Sequence, residues 1–215
     1  MEQEILTSDQ KLVLKAVVQE GNLSGFYLSG GTALACYYLH HRFSDDLDFF
    51  TFEEIDPIFI HSYAEKLKLA IDSKSFRFER LHDRYQFFFE LKNRELKIEF
   101  ARYPFSQLES PGRFDGILVD SFRDIAANKL MALLDRFDPK DFADLYFTIQ
   151  KITLPQIRAD VEKKFGHKIS ATFLAGELAK VRRIEALPKM IKPVTIEELK
   201  NFFAELIKGL SPEIF

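Results

Sequence analysis

Two stretches decide how this chain is read: Leu28-Ser29-Gly30-Gly31-Thr32 and, shortly after, Arg42-Phe43-Ser44-Asp45-Asp46-Leu47-Asp48-Phe49-Phe50. Phe26 to Ser29 has the composition of a short strand, Gly30-Gly31 breaks it, and Thr32 to His40 reads as a helix. Leu47 to Thr51 reads as a second strand. Residues two apart in a strand project to the same face, so Asp46 and Asp48 can converge on one point. Two carboxylates so placed repel each other unless something positive lies between them. Mg²⁺ suits that position, because it prefers oxygen ligands and takes one or two carboxylates together with substrate phosphates. The glycines supply the complementary half: they let backbone N–H groups approach a phosphate closely, and the start of a helix favours anions. This is not a Walker A loop, since the Gly-Lys-Ser/Thr ending is missing. Each half also has a plain structural reading, Ser44-Asp45-Asp46 as a turn cap and Gly30-Gly31 as a sharp corner.

Outward from this centre the pattern is mixed at first and helical later. Thr7 to Gln10 has capping-box spacing, and Leu12, Val13, Val17 and Val18 follow at helical intervals. Pro57 to Ile71 is also helical in pattern. Phe76 to Glu79, Tyr85 to Leu91 and Leu96 to Ala101 alternate like consecutive antiparallel strands, with Asp83-Arg84 and Asn93-Arg94 between them. Phe114 to Val119 is expected to add one more strand. From Ser121 helices take over: one carrying Ile125, Ala126, Lys129, Leu130, Leu133 and Leu134, one over Asp141 to Ile149, and one opened by Pro155. Thr195 to Glu198 repeats the capping box before the last helix. The expected fold class is α+β: residues 1–120 a mixed or antiparallel sheet with flanking helices, residues 121–215 a helical domain that completes the active-site cleft.

Composition sets outer limits. Of the 215 residues 47% are hydrophobic and 29% charged, enough apolar material for a packed core. The 23 phenylalanines lie mostly in apolar runs, which favours core packing over stacking on nucleic acid. The net charge of −3 excludes a chain coated in basic residues. The stretch from Lys151 has 12 basic against 8 acidic residues. Lys163, Lys164, Lys180, Arg182 and Arg183 could touch RNA phosphates or form a solvated face. Cys36 is the only cysteine, so there is no thiolate metal site, and a buried inert thiol is expected. No basic-then-apolar leader and no membrane-length apolar run is present, so the cytoplasm is the expected compartment and no membrane partner is expected.

Further ionisable residues stand at spacings that could carry chemistry. In Lys97-Ile98-Glu99-Phe100, Lys97 and Glu99 share one side of a strand, and Glu99 could complete a metal site, act as a base, or form a cross-strand salt bridge. Lys129 sits among Ile125, Ala126, Leu130 and Leu133, where a lysine must snorkel or meet an anion. Asp141 and Asp144 share a helix face, which ordinary intrahelical pairing also explains.

Together these pieces resemble the AbiEii-type nucleotidyltransferases, the toxin component of type IV toxin–antitoxin systems, within the DNA polymerase β-like superfamily. The resemblance covers about residues 25–150. Leu28-Ser29-Gly30-Gly31-Thr32-Ala33-Leu34 followed by His41-Arg42, Ser44, Asp46 and Asp48-Phe49 resembles the first family motif. Lys97-Ile98-Glu99 resembles the second, and Asp124-Ile125, Ala127 and Lys129 the third. Lys140-Asp141 and Asp144, after Arg136, resemble the fourth, where arginine is commoner than Lys140 and makes bidentate contacts that lysine does not.

The resemblance implies a polymerase β-like core and transfer of a nucleoside monophosphate from a nucleoside triphosphate. Asp46, Asp48 and Glu99 would bind Mg²⁺ or Mn²⁺. Ser29, Gly30, Gly31, Thr32, Arg42, Ser44, Lys97 and Lys129 would contact the nucleotide, and Asp141 would be a base or orienting group beside catalytic Asp46, Asp48 and Lys129. The acceptor would be a tRNA 3′ end or a protein hydroxyl, and a cognate antitoxin would be a partner. A non-catalytic nucleotide- or partner-binding module and a phosphotransferase are the alternatives.

Overall fold

The computed structural model of the chain describes residues 4–213. Helix α1 (Ser8–Gln19) starts where the capping box places it. The Thr7 hydroxyl accepts from the Gln10 N–H and the Gln10 side chain accepts from the Thr7 N–H, satisfying two otherwise orphaned donors. Strand β1 (Tyr27–Ser29) leads into α2 (Gly30–Ala33), which widens into a π-helical turn over Leu34–Leu39. Strand β2 (Leu47–Thr51), helix α3 (Pro57–Ala70) and strands β3 (Phe76–Leu81), β4 (Arg84–Glu90) and β5 (Glu95–Arg102) follow. The single strand expected over Phe114 to Val119 is a hairpin, β6 (Gly112–Phe114) and β7 (Ile117–Val119). Asp115 and Gly116 both adopt positive φ at its turn, the conformation that matches the twist of paired strands.

The strands form one mixed sheet in the order β3-β4-β5-β2-β1-β7-β6, with β2–β5 and β1–β7 parallel. Register divides it into two chemically different faces. One carries Phe87, Phe89, Ile98, Phe100, Leu47 and Phe49 and is buried. Phe49 and Phe100 stack at 5.3 Å and Tyr63 of α3 meets Phe100 edge-on, so phenylalanine fills the core as expected. The other face carries a polar row, Gln86, Glu99, Asp48 and Ser29, across β4, β5, β2 and β1.

The chain folds as two compact units. The first contains the sheet, with α1 and α3; it takes in the described residues up to Cys36, then Ser44–Phe105 and Ser110–Ser121. The second contains α4 (Phe122–Asp135), α5 (Pro139–Ile149), α6 (Leu154–Phe165), α7 (Ala171–Ala179) and α8 (Ile196–Leu210). Tyr37–Phe43 and Ser106–Glu109 also belong to it, which a single cut near residue 120 does not capture. Tertiary hydrogen bonds hold them there: Ile191 and Lys192 donate to the His41 carbonyl, Phe43 donates to Lys189, and the Asp124 carboxylate accepts from the Leu108 and Glu109 N–H groups. Its core brings together Leu130, Leu133, Phe142, Leu145, Leu174 and Phe203. Cys36 is half-buried rather than buried, and burial pushes its thiol pKa up, consistent with an inert group.

Candidate active site

In the sheet unit the glycine corner and the acid pair meet. A Cβ built on Gly30 would lie 2.1 Å from the Asp48 Oδ2, so no side chain fits there while that carboxylate keeps its place. Gly30 also has φ +69°, a conformation glycine adopts without penalty. The buried Thr32 hydroxyl donates to the Asp46 carbonyl. Ser29, paired in register with Asp48, donates to the Asp120 Oδ2 at 2.8 Å. Asp46 and Asp48 themselves are half-buried. Gln10 fixes the loop before them: its Nε2 donates to the carbonyls of Ser44 (2.9 Å) and Asp45 (3.1 Å) while its Oε1 caps α1.

Glu99 stands beside Asp48 in the β2–β5 register. Its fully buried carboxylate accepts from Arg84 Nε (2.7 Å) and Gln86 Nε2 (2.7 Å) and pairs with Lys97 Nζ (3.1 Å). Burial pushes its pKa up, yet Arg84, Lys97 and the Gln86 hydrogen bond outweigh that and bring it down. Among the described residues no three His, Cys, Asp or Glu side chains lie close enough to hold a metal ion. Glu99, expected as a third ligand beside Asp46 and Asp48, is held in this structure by those positive and amide neighbours. Lys97 spends its charge on the same carboxylate.

In the helical unit a second set of expected residues comes together around Asp144. Arg42 Nε and Nη2 bond the two Asp144 oxygens at 2.6 and 2.8 Å, His41 Nε2 meets Oδ1 at 2.7 Å, and Lys129 Nζ lies 2.7 Å from Oδ2. Lys129 also bonds Asp141 Oδ1 at 3.0 Å, and Arg136 Nε bonds Asp141 Oδ2 at 3.1 Å. Asp141 and Asp144 are fully buried and Arg42 nearly so. Arg42, expected among the nucleotide contacts, is a buried partner of Asp144 in this structure, and its Nη1 is bonded to the Phe43 carbonyl. Burial raises the Asp144 pKa, but Lys129 and Arg42 drive it well below the carboxylate range. Lys129 is lowered by burial and raised more by Asp144 and Asp141. Lys164, expected on a basic face, is buried against Asp124 at 2.7 Å.

Local patterns pointed to neither Gln10 nor His41 as a site-building residue. Gln10 reads as a capping residue, and only its unused amide nitrogen hinted at a second contact. His41 is buried, and its Nδ1 has no hydrogen-bond partner among the described residues. Burial lowers its pKa despite the Asp144 contact, which favours the neutral ring in the fold. A group whose folded pKa lies below its unfolded value binds fewer protons when folded. Stability is thus full above the usual imidazole value of 6.5 and falls as pH drops through it, by at most about 1.4 kcal/mol per pH unit. Urea midpoints measured between about pH 7 and 5 should show this slope, and His41→Gln should flatten it.

The mixed sheet with flanking helices, its glycine corner against an Asp-x-Asp strand, is the architecture of a nucleotidyltransferase. A crystal structure from Helicobacter pylori, proposed to be a nucleotidyltransferase, matches 96% of this chain and 98% of its own at 22% identity, with a TM-score of 0.60. MenT4, a nucleotidyltransferase toxin from Mycobacterium tuberculosis, matches 94% of this chain and 81% of its own at 17% identity, with a TM-score of 0.54. An uncharacterised protein from Aquifex aeolicus is 33% identical over 214 residues, covering 94% of this chain and 96% of that protein. The family model described as nucleotidyl transferase AbiEii toxin, type IV TA system, matches residues 12–214. The chain belongs to the AbiEii nucleotidyltransferase toxin family. It is a nucleotidyltransferase, and membership implies a nucleotide substrate and a cognate antitoxin. No helix among the described residues is long and apolar enough to cross a membrane.

Proposed function

We propose that the protein transfers a nucleoside monophosphate from a nucleoside triphosphate to a hydroxyl acceptor, with pyrophosphate leaving and a divalent cation, Mg²⁺ or Mn²⁺, bound. The observation that carries the reading is the contact between the glycine corner and Asp48: Gly30 has room only for hydrogen because Asp48 Oδ2 lies 2.1 Å from where its Cβ would be. A phosphate on the backbone of that corner would therefore lie beside the carboxylates that need a cation.

The donor set fits such an ion. Asp46 and Asp48 are half-buried oxygen donors, and two carboxylates completed by phosphate oxygens are a usual Mg²⁺ arrangement. Bound there, the cation would supply charge neutralisation on the triphosphate and on the leaving pyrophosphate. Asp46 and Asp48 would hold it, and the N–H groups of Gly30, Gly31 and Thr32 would orient the phosphates. The Gln10 and Thr32 hydrogen bonds would keep the Ser44–Asp46 loop from drifting. Asp141, fully buried and fixed by Lys129 and Arg136, would act as an orienting group within the helical unit. Lys129 acts through Asp141 in this reading, because its ammonium is committed to two aspartates. The family resemblance favours a tRNA 3′ end as acceptor, with a protein hydroxyl the other candidate.

Incubation with total RNA and triphosphate labelled at the α- or γ-phosphate tests the reaction. The α label should move to RNA and the γ label should not, and Asp46→Ala or Asp48→Ala should abolish transfer. Movement of the γ label would make the protein a phosphotransferase, and nucleotide binding with no transfer to RNA or protein would make it a binding module.

A further inference from the structure

Strand β3 is one edge of the sheet. Natural edges are usually blunted by charged side chains, proline, a bulge or a covering segment, because an open row of N–H and C=O groups invites another strand; the charges on β3 are of both signs, so they repel some registers and favour others. β3 runs Phe-Arg-Phe-Glu-Arg-Leu with no proline, and Arg77 to Leu81 are exposed. Phe78 is 39% exposed and Leu81 58%. In an antiparallel pair, successive residues turn their backbone groups to opposite sides. The Ser75 carbonyl accepts from the Glu90 N–H, so Ser75, Arg77, Glu79 and Leu81 face β4. The N–H and C=O groups of Phe76, Phe78 and Arg80 therefore point out of the sheet.

We propose that this edge pairs with the β3 edge of a second copy of the chain, antiparallel about a twofold axis at Phe78. Backbone direction and charge select that register. An axis between two residues would oppose outward-pointing groups to inward-pointing ones. An axis at Arg77 or at Glu79 would set each charge against its own copy, and like charges directly opposite destabilise a pair. An axis at Phe76 or Arg80 overlaps less of the strand, and the latter again opposes arginine to arginine. With the axis at Phe78 the two phenylalanines meet in a hydrogen-bonded pair, and Phe76 and Arg80 bond across to Arg80 and Phe76 of the second copy. Arg77 then faces the second copy's Glu79, and Glu79 faces its Arg77, in the non-hydrogen-bonded positions where side chains come closest. Within one chain Arg77 pairs with Glu79 along the strand and lies over the Phe88 ring of β4, so on pairing each charge would exchange a partner in its own chain for one in the second copy. The pairing is isologous and closes on itself, which protects the edge from open-ended growth.

A contact of this size is transient, so the test traps it. In a Cys36→Ser chain, Phe78→Cys would place two thiols across the axis at the ≈ 5.5 Å Cα separation of a hydrogen-bonded pair, within disulfide range. Oxidised glutathione at high protein concentration should give a disulfide-linked dimer. Glu79→Cys in the same background should give several-fold less, since its counterpart lies diagonally across. Adding Arg77→Glu to the Phe78→Cys chain should cut the yield several-fold, and adding Glu79→Arg as well should restore it. Equal yields from positions 78 and 79, no dimer from either, or a yield unmoved by the charge reversals would overturn the proposal.

Discussion

Asp144→Ala should lower the free energy of unfolding by about 3–5 kcal/mol, the cost of breaking a buried ion pair from one side. The substitution removes the single acceptor shared by Arg42, His41 and Lys129. Arg42 remains buried with its charge unbalanced while Lys129 keeps only Asp141, and the penalty comes from the orphaned guanidinium more than from the lost attraction. Urea denaturation followed by circular dichroism measures it. Asp144→Asn keeps the shape and loses the charge, so it should also destabilise strongly. A cost below about 1 kcal/mol, the range of exposed ion pairs, would mean that the cluster is solvated and does not organise the helical unit. The same carboxylate makes an acid limb: its pKa is depressed on folding, so its contribution is present above the usual value of 3.8 and is lost as pH falls below it.

Gly30→Ala should cost at least about 10²-fold in transfer activity, a loss expected from roughly ångström-scale misplacement of a catalytic group. Alanine at φ +69° is strained, by roughly 1–2 kcal/mol. Its methyl group would also overlap the Asp48 carboxylate, which would have to move. Gly31→Ala is the informative comparison because Gly31 has no positive φ. Steady-state transfer assays on both variants, with melting curves to confirm folding, separate a displaced carboxylate from a general loss of structure. A Gly30→Ala chain that is folded and fully active would remove the geometric basis for treating the corner and the acids as one site.

The centre of the fold was legible because each of its signals was local. Gly30-Gly31 after an apolar strand and Asp46-Leu47-Asp48 at the start of another have few alternative conformations, and the capping boxes at Thr7 and Thr195 fix helix starts within four residues. The charge partners were not legible. Glu99 pairs with Arg84 and Gln86 through strand register, and Arg42 meets Asp144 across 102 residues; neither neighbour is implied by spacing along the chain. A lone acid on a strand reads equally well as a metal ligand or as half of a salt bridge until its cross-strand partners are known. The hairpin at Asp115-Gly116 was missed although Asp-Gly is a turn signal: its strands are only three residues long, and Gly112-Arg113-Phe114 lacks the apolar alternation of a strand.

The central claim is that a polyphosphate on the Gly30–Thr32 backbone and a cation on Asp46 and Asp48 share one pocket. Crystals grown with a non-hydrolysable triphosphate and Mn²⁺, measured for anomalous scattering, test it most directly. The account predicts a manganese peak bonded to both aspartates and to phosphate oxygens that also accept from that backbone. Phosphates bound elsewhere, or a manganese ion away from these two carboxylates, would contradict it.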